Sequence, residues 1–149
     1  MSRWRIGVPV GVLAAVVLAW FSAGPAPVAN TANGHGIKPF GISDVPGRAT
    51  ALFPGATGTR WIRLGNVENF PILVRTVTAT AGKPVDSRGR AVPACPAASV
   101  KVDALAAPVT VPGNGTADVA LTTHLLPGTP DVCRSVTFPL TYTGTAVKP

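Results

Sequence analysis

Ser135-Val136-Thr137-Phe138-Pro139-Leu140-Thr141-Tyr142-Thr143 alternates from end to end. Val136, Phe138, Leu140 and Tyr142 fall on one face; Ser135, Thr137, Pro139, Thr141 and Thr143 fall on the other. A period of two is that of a half-buried β-strand, because successive side chains leave the pleat on opposite sides. Pro139 has no N–H for a ladder, so its position predicts an edge or a bulge.

Upstream the same period recurs in shorter pieces. Ser99–Asp103 places Val100 and Val102 inward, with Ser99, Lys101 and Asp103 outward. Val109–Val111 and Ala117–Leu121 flank Pro112-Gly113-Asn114-Gly115, whose Asn-Gly pair tolerates the positive φ of a tight hairpin. Ile72–Thr80 switches parity: Ile72 and Val74 share one face, Val77 and Ala79 the other. One extra residue near Arg75-Thr76 would turn all four inward, so a β-bulge is expected there. In Thr59–Leu64, Ile62 and Leu64 oppose Trp61 and Arg63. Arg48–Phe53 reads as a first short strand closed by a Pro54-Gly55 turn. Asn66–Pro71 and Leu126–Asp131 read as loops, and Ala81–Ala98 is the longest irregular stretch.

No helical period occurs after Thr50, and 16 glycines and 16 prolines punctuate 149 residues. The fold class expected is all-β: an immunoglobulin-like antiparallel β-sandwich of about seven strands, with a small barrel as the alternative. Leu52-Phe53-Pro54-Gly55, Ile62-Arg63-Leu64-Gly65-Asn66 and Pro71-Ile72-Leu73-Val74 resemble a recurrent bacterial sandwich pattern. Cys95, Val100, Val102, Cys133 and Tyr142-Thr143-Gly144 are similar to the second half of small exported actinobacterial proteins with an immunoglobulin-like β-sandwich domain. The resemblance covers Ala49 to Ala146 and implies a fold, not a chemistry.

The N-terminus carries a different message. Arg3 and Arg5 precede an uncharged apolar run, Ile6–Phe21, and then the small, Pro-rich Ser22–Ala29. This is the pattern of an export signal. As a helix the run would span roughly 24 Å, short of a full crossing unless extended toward Ala29. Residues 1–29 are therefore expected to be a cleaved signal peptide or a membrane anchor, the anchor being an N-terminal hydrophobic helix. Residues 30–47 are expected to be a flexible tether and 48–149 the sandwich. The protein is expected outside the cytoplasm, secreted or held at the outer face of the cytoplasmic membrane.

Export places two cysteines, Cys95 and Cys133, in an oxidising compartment, where an even count argues for a disulfide. That bridge would pin the Ala81–Ala98 loop to the mouth of the last strand. Net charge is +7, of which Arg3 and Arg5 supply two, leaving +5 on the exported part. Such an excess suits anionic envelope polymers, or another envelope protein, as partners. There is no basic stripe with interleaved aromatics, so nucleic acid is not expected.

Catalytic machinery is thin. His35 lies in the expected tether, and His124 reads as a solvent-facing loop residue that Asp118 or Asp131 could accompany. No Gly-x-Ser-x-Gly turn, carboxylate pair, Cys-x-x-Cys or phosphate loop occurs, so no catalytic residue, metal or cofactor is expected. The remaining candidates are surface features: Arg60, Trp61 and Arg63 on one strand, and Lys83, Arg88 and Arg90 in the long loop. The function expected is a non-enzymatic exported binding or structural accessory at the cell envelope. The alternatives are an assembly subunit joined by strand exchange, or a hydrolase using His124.

Overall fold

A computed structural model describes residues 31–149, with side chains described from Gly36 onward. The export or anchor segment expected at 1–29 lies outside the described residues. Among the described residues no helix is long and apolar enough to cross a membrane.

The chain forms β1 (Thr31–His35), β2 (Gly41–Ala49), β3 (Thr57–Gly65), β4 (Ile72–Ala81), β5 (Val100–Val102), β6 (Val109–Val111), β7 (Thr116–Leu125) and β8 (Leu140–Val147). Two short 3₁₀ turns, Ala97–Ser99 and Asp131–Cys133, are the only helical pieces among the described residues. The strands make two four-stranded sheets, ordered β1-β8-β4-β6 and β2-β3-β7-β5. β2 to β8 pair antiparallel, and β1 adds an eighth strand, parallel to β8. The molecule is thus an all-β, two-sheet sandwich.

The alternation in the last strand holds. Phe138, Leu140 and Tyr142 are buried, and the pattern runs on through Gly144 and Ala146. Outward threonines meet across the sheet, Thr78 with Thr143 and Thr76 with Thr145, each pair at 2.6 Å. The strand begins at Leu140 rather than Ser135, because Pro139 stands just before the ladder. The bulge in β4 is present: Val74 pairs with Ala146 and Thr76 with Thr145, leaving Arg75 over. Ile72, Val74 and Val77 are consequently all buried.

Four expectations need correction. The sandwich begins before residue 48: β2 starts at Gly41, with Phe40 and Ile42 in the core, and residues 31–35 pair with β8. Pro46 and Gly47 suggest a break, but they sit at a register shift on an edge strand, where a missing donor is tolerated. Residues after Ala49 leave the sheet, so Arg48–Phe53 is not a strand. Ser99 is buried in the first 3₁₀ turn rather than facing out. Pro112–Gly115 is a turn with Asn114 at φ 49°, but it is not a hairpin, since β6 and β7 belong to different sheets.

That turn is instead a corner between the sheets. A Cβ on Gly113 would lie 2.6 Å from the Asn69 carbonyl, so only glycine lets the two loops approach. Buried Asn66 locks them together. Its Nδ2 donates to the carbonyls of Phe70, Val111 and Pro112, and its Oδ1 accepts from the Glu68 N–H.

Two apolar clusters fill the sandwich. The larger lies between the sheets around Ile42, Ile62, Leu64, Val74, Leu121 and Tyr142. The smaller closes one end and contains Cys95, Cys133, Leu125 and Phe138. Cys95 and Cys133 form the expected disulfide, 38 positions apart in sequence.

Candidate functional site

The parity of β3 sorts its basic residues. Arg60 shares the inward face of Ile62 and Leu64, and Trp61 and Arg63 take the outer face. Arg60 is therefore not part of a free binding surface. Its Nε and Nη2 donate to both oxygens of Asp44 on β2, at 2.8 and 2.6 Å, and its Nη1 donates to the Phe138 carbonyl. Tyr142 of the opposite sheet donates its hydroxyl to Asp44 Oδ1 at 2.5 Å. Burial pushes the Asp44 carboxyl up, but the bonds from Arg60 and Tyr142 outweigh it and hold it below the usual range. Burial and the bond to Asp44 drive the Tyr142 phenol well above its ordinary value. This network fastens the two sheets together.

On the outer face of the β2-β3-β7-β5 sheet a second cluster forms. Arg63 grips Asp118, its register partner on β7, through two parallel bonds of 2.7 and 2.9 Å. Arg48 reaches the same carboxylate at 3.5 Å and lays its guanidinium 3.8 Å from the centre of the Trp61 ring. The hydrogen bond from Arg63 holds the Asp118 carboxyl below its usual range. A shallow hollow of about 250 Å³ adjoins Trp61, lined also by Arg48, Thr50 and Thr59. Arg48 and Asp118 are not legible as companions of Trp61 in the sequence, because their proximity depends on strand register, which no local pattern declares.

The basic loop lies elsewhere, at the disulfide end. Asp86 organises its tip, accepting the backbone N–H groups of Arg88 and Arg90 and the Arg90 side chain. The Arg90 backbone bond is the largest influence drawing the Asp86 carboxyl down. Among the described residues, Lys83 and Arg88 have no ion-pair partner. The six basic and aromatic residues expected to form a surface thus divide among three places: between the sheets, on one outer face, and at one end.

His124 is within β7, not in a loop, and its carboxylate partner is Asp103 rather than Asp118 or Asp131. His124 Nε2 lies 2.9 Å from Asp103 Oδ2, and Nδ1 lies 3.1 Å from the Thr57 hydroxyl. A carboxylate only accepts, so Nε2 carries the proton and Nδ1 accepts from Thr57 in the neutral ring. The three residues come from β3, β7 and the end of β5, side by side on one sheet face. Among the described residues no three His, Cys, Asp or Glu side chains converge as metal ligands would.

No family model and no curated protein matches the chain. Two solved structures show a distant likeness. A family 123 glycoside hydrolase from Clostridium perfringens is 10% identical with a TM-score of 0.32, covering 72% of this chain. The chain spans only 27% of that protein's length. The ASH/PapD-like domain 7 of human CEP192 is 12% identical with a TM-score of 0.32, covering 99% of this chain and 96% of that one. Likeness at this level says nothing about activity.

Proposed function

We propose that the protein is a non-enzymatic binding or structural module of the cell envelope. It is an immunoglobulin-like sandwich, exported and either released or retained at the outer face of the cytoplasmic membrane by its N-terminal segment. The Arg48–Trp61–Arg63–Asp118 platform is its binding face, and an anionic envelope polymer its partner. The stacking of Arg48 on Trp61 carries this reading. A guanidinium held over an indole and steadied by a carboxylate loses little freedom on gripping an anion. Two arginines against one aspartate leave the platform with a net positive charge, and repeated weak contacts along a polymer add through avidity.

Co-sedimentation of the exported domain with isolated anionic wall polymer tests this. Arg48→Ala and Trp61→Ala are expected to weaken retention about tenfold each, in the range of interface hot spots. Arg75→Ala, on the other sheet, should not change it. Retention no greater than that of an unrelated sandwich, or unchanged in both variants, refutes the assignment.

A second reading rests on the Asp103–His124–Thr57 arrangement, which directs a hydroxyl at a base oriented by a carboxylate. It calls for turnover of an ester, peptide or glycan that vanishes in His124→Ala. Turnover equal in the variant, or none in the wild type, removes it.

A further inference from the structure

Four large apolar side chains are exposed among the described residues, and three of them gather at the disulfide end: Phe53 (71% exposed), Leu126 (42%) and Val132 (44%). Val67, the fourth, is at the opposite end, in the loop beside Asn66. Strand direction establishes the grouping. β7 runs toward this end, finishing at Leu125, and Leu126 then bonds the Ser99 carbonyl. The Pro54-Gly55 turn ties to Leu125. A cavity of about 210 Å³ joins Phe53 and Leu125 to Pro130, Cys133 and Arg134. The basic loop extends the same end, because Val85 pairs with Thr137, beyond the last rung of β4 and β8.

The first described strand also starts toward this side. β1 runs parallel to β8, with Thr31 opposite Thr143 and His35 opposite Val147. Thr31, the first described residue, therefore lies on the side of β8 that leads to Leu140, Pro139 and the disulfide. Nine residues separate Phe21, the last of the apolar run, from Thr31. Fully extended they reach at most about 30 Å. An anchor in the membrane would hold this end, and not the Asn66 end, near the lipid.

We propose that the disulfide end is a lipid-docking surface. Phe53, Leu126 and Val132 enter the interface of an anionic bilayer while Lys83 and Arg88 meet its headgroups. Exposed apolar groups at the same end as Lys83 and Arg88, which have no ion-pair partner among the described residues, match such a surface, where the apolar part loses water and the charge finds phosphate. The inference rests on the anchored form of the proposed function.

The full chain in lipid nanodiscs bearing nitroxide headgroups provides the test, read by paramagnetic broadening of backbone amides. The Phe53, Leu126 and Val132 signals are expected to broaden at least about threefold more than that of Val67, and more strongly in phosphatidylglycerol than in phosphatidylcholine discs. Half-molar salt, or Lys83→Glu with Arg88→Glu, should remove the lipid dependence. Equal broadening at both ends in a chain that stays on the discs overturns docking and leaves anchoring intact. A chain that does not stay on the discs overturns both. Protection of the patch by another envelope protein, with no broadening by lipid, replaces the bilayer with a protein partner and also overturns the proposal.

Discussion

Without the Cys95–Cys133 bridge the folded chain is expected to lose about 3–4 kcal/mol of stability. Opening a loop of 38 positions restores freedom to the unfolded chain, and chain-entropy reasoning places the loss near the upper end of that range. The native side adds to it. Both sulfurs are buried against Leu125 and Phe138 in the smaller apolar cluster. Outside the disulfide, the irregular segment from Gly82 to Pro96 is tied to the sandwich by backbone bonds of Gly82 to Pro139 and of Val85 to Thr137, and by Val92 packing on the smaller cluster. Cys95→Ala with Cys133→Ala should therefore lower the melting temperature by roughly 10–20 °C. Urea unfolding of the double variant beside the oxidised wild type measures the difference. A midpoint shift equivalent to under about 1 kcal/mol would show that the loop is held by packing alone.

The Asp44–Arg60–Tyr142 network is expected to matter next most. Asp44→Ala removes the acceptor of three bonds and leaves the Arg60 guanidinium, whose side chain is 19% exposed, facing the Phe138 carbonyl alone. Breaking a fully buried pair costs about 3–5 kcal/mol, but the Asp44 side chain is 35% exposed and water screens part of the effect. A loss of about 2–3 kcal/mol at neutral pH follows.

The same network shapes the pH profile at both limbs. The Asp44 pKa is depressed in the folded state, so its contribution is present above the unfolded value of 3.8 and fades as pH falls through the lower folded value. The Tyr142 pKa is raised, so its contribution is full below about pH 10 and fades as pH rises beyond it. Tyr142 is the only tyrosine in the chain, so phenolate absorbance reads it alone. Ionisation should be delayed in the folded protein and coincide with alkaline unfolding. Tyr142→Phe should remove that alkaline contribution while Asp44→Ala flattens the acid limb. A phenol that titrates freely near pH 10 in the folded protein would contradict the buried bond.

The alternating strands are legible in the residues alone, and so is the bulge at Arg75, because parity along one strand is a local property. β1 is not. Parallel pairing at a sheet edge uses backbone groups, and Thr31–His35 has the composition of a linker. β2 is obscured for a related reason: Pro46 and Gly47 stop most strands, yet an edge strand absorbs them at a register shift. The candidate surface residues meet the same limit. Trp61 and Arg63 can be placed outward by parity, but their companions Arg48 and Asp118 become neighbours only through pairing across β2, β3 and β7. The Asp103 partner of His124 is hidden likewise, since it lies 21 positions away and joins only when β5 pairs with β7.

Composition and periodicity by themselves determined that this chain is β-rich, that two thiols would join, and which side chains of β4, β7 and β8 face inward. Each follows from forces acting within a few residues or from a simple count. Only the tertiary structure decided that Pro112–Gly115 crosses between sheets, that Arg60 is a tie rather than a contact surface, and that three exposed apolar side chains share the disulfide end. Those outcomes depend on register and strand direction, which are selected by the burial of a common core and leave no mark on any single stretch of sequence.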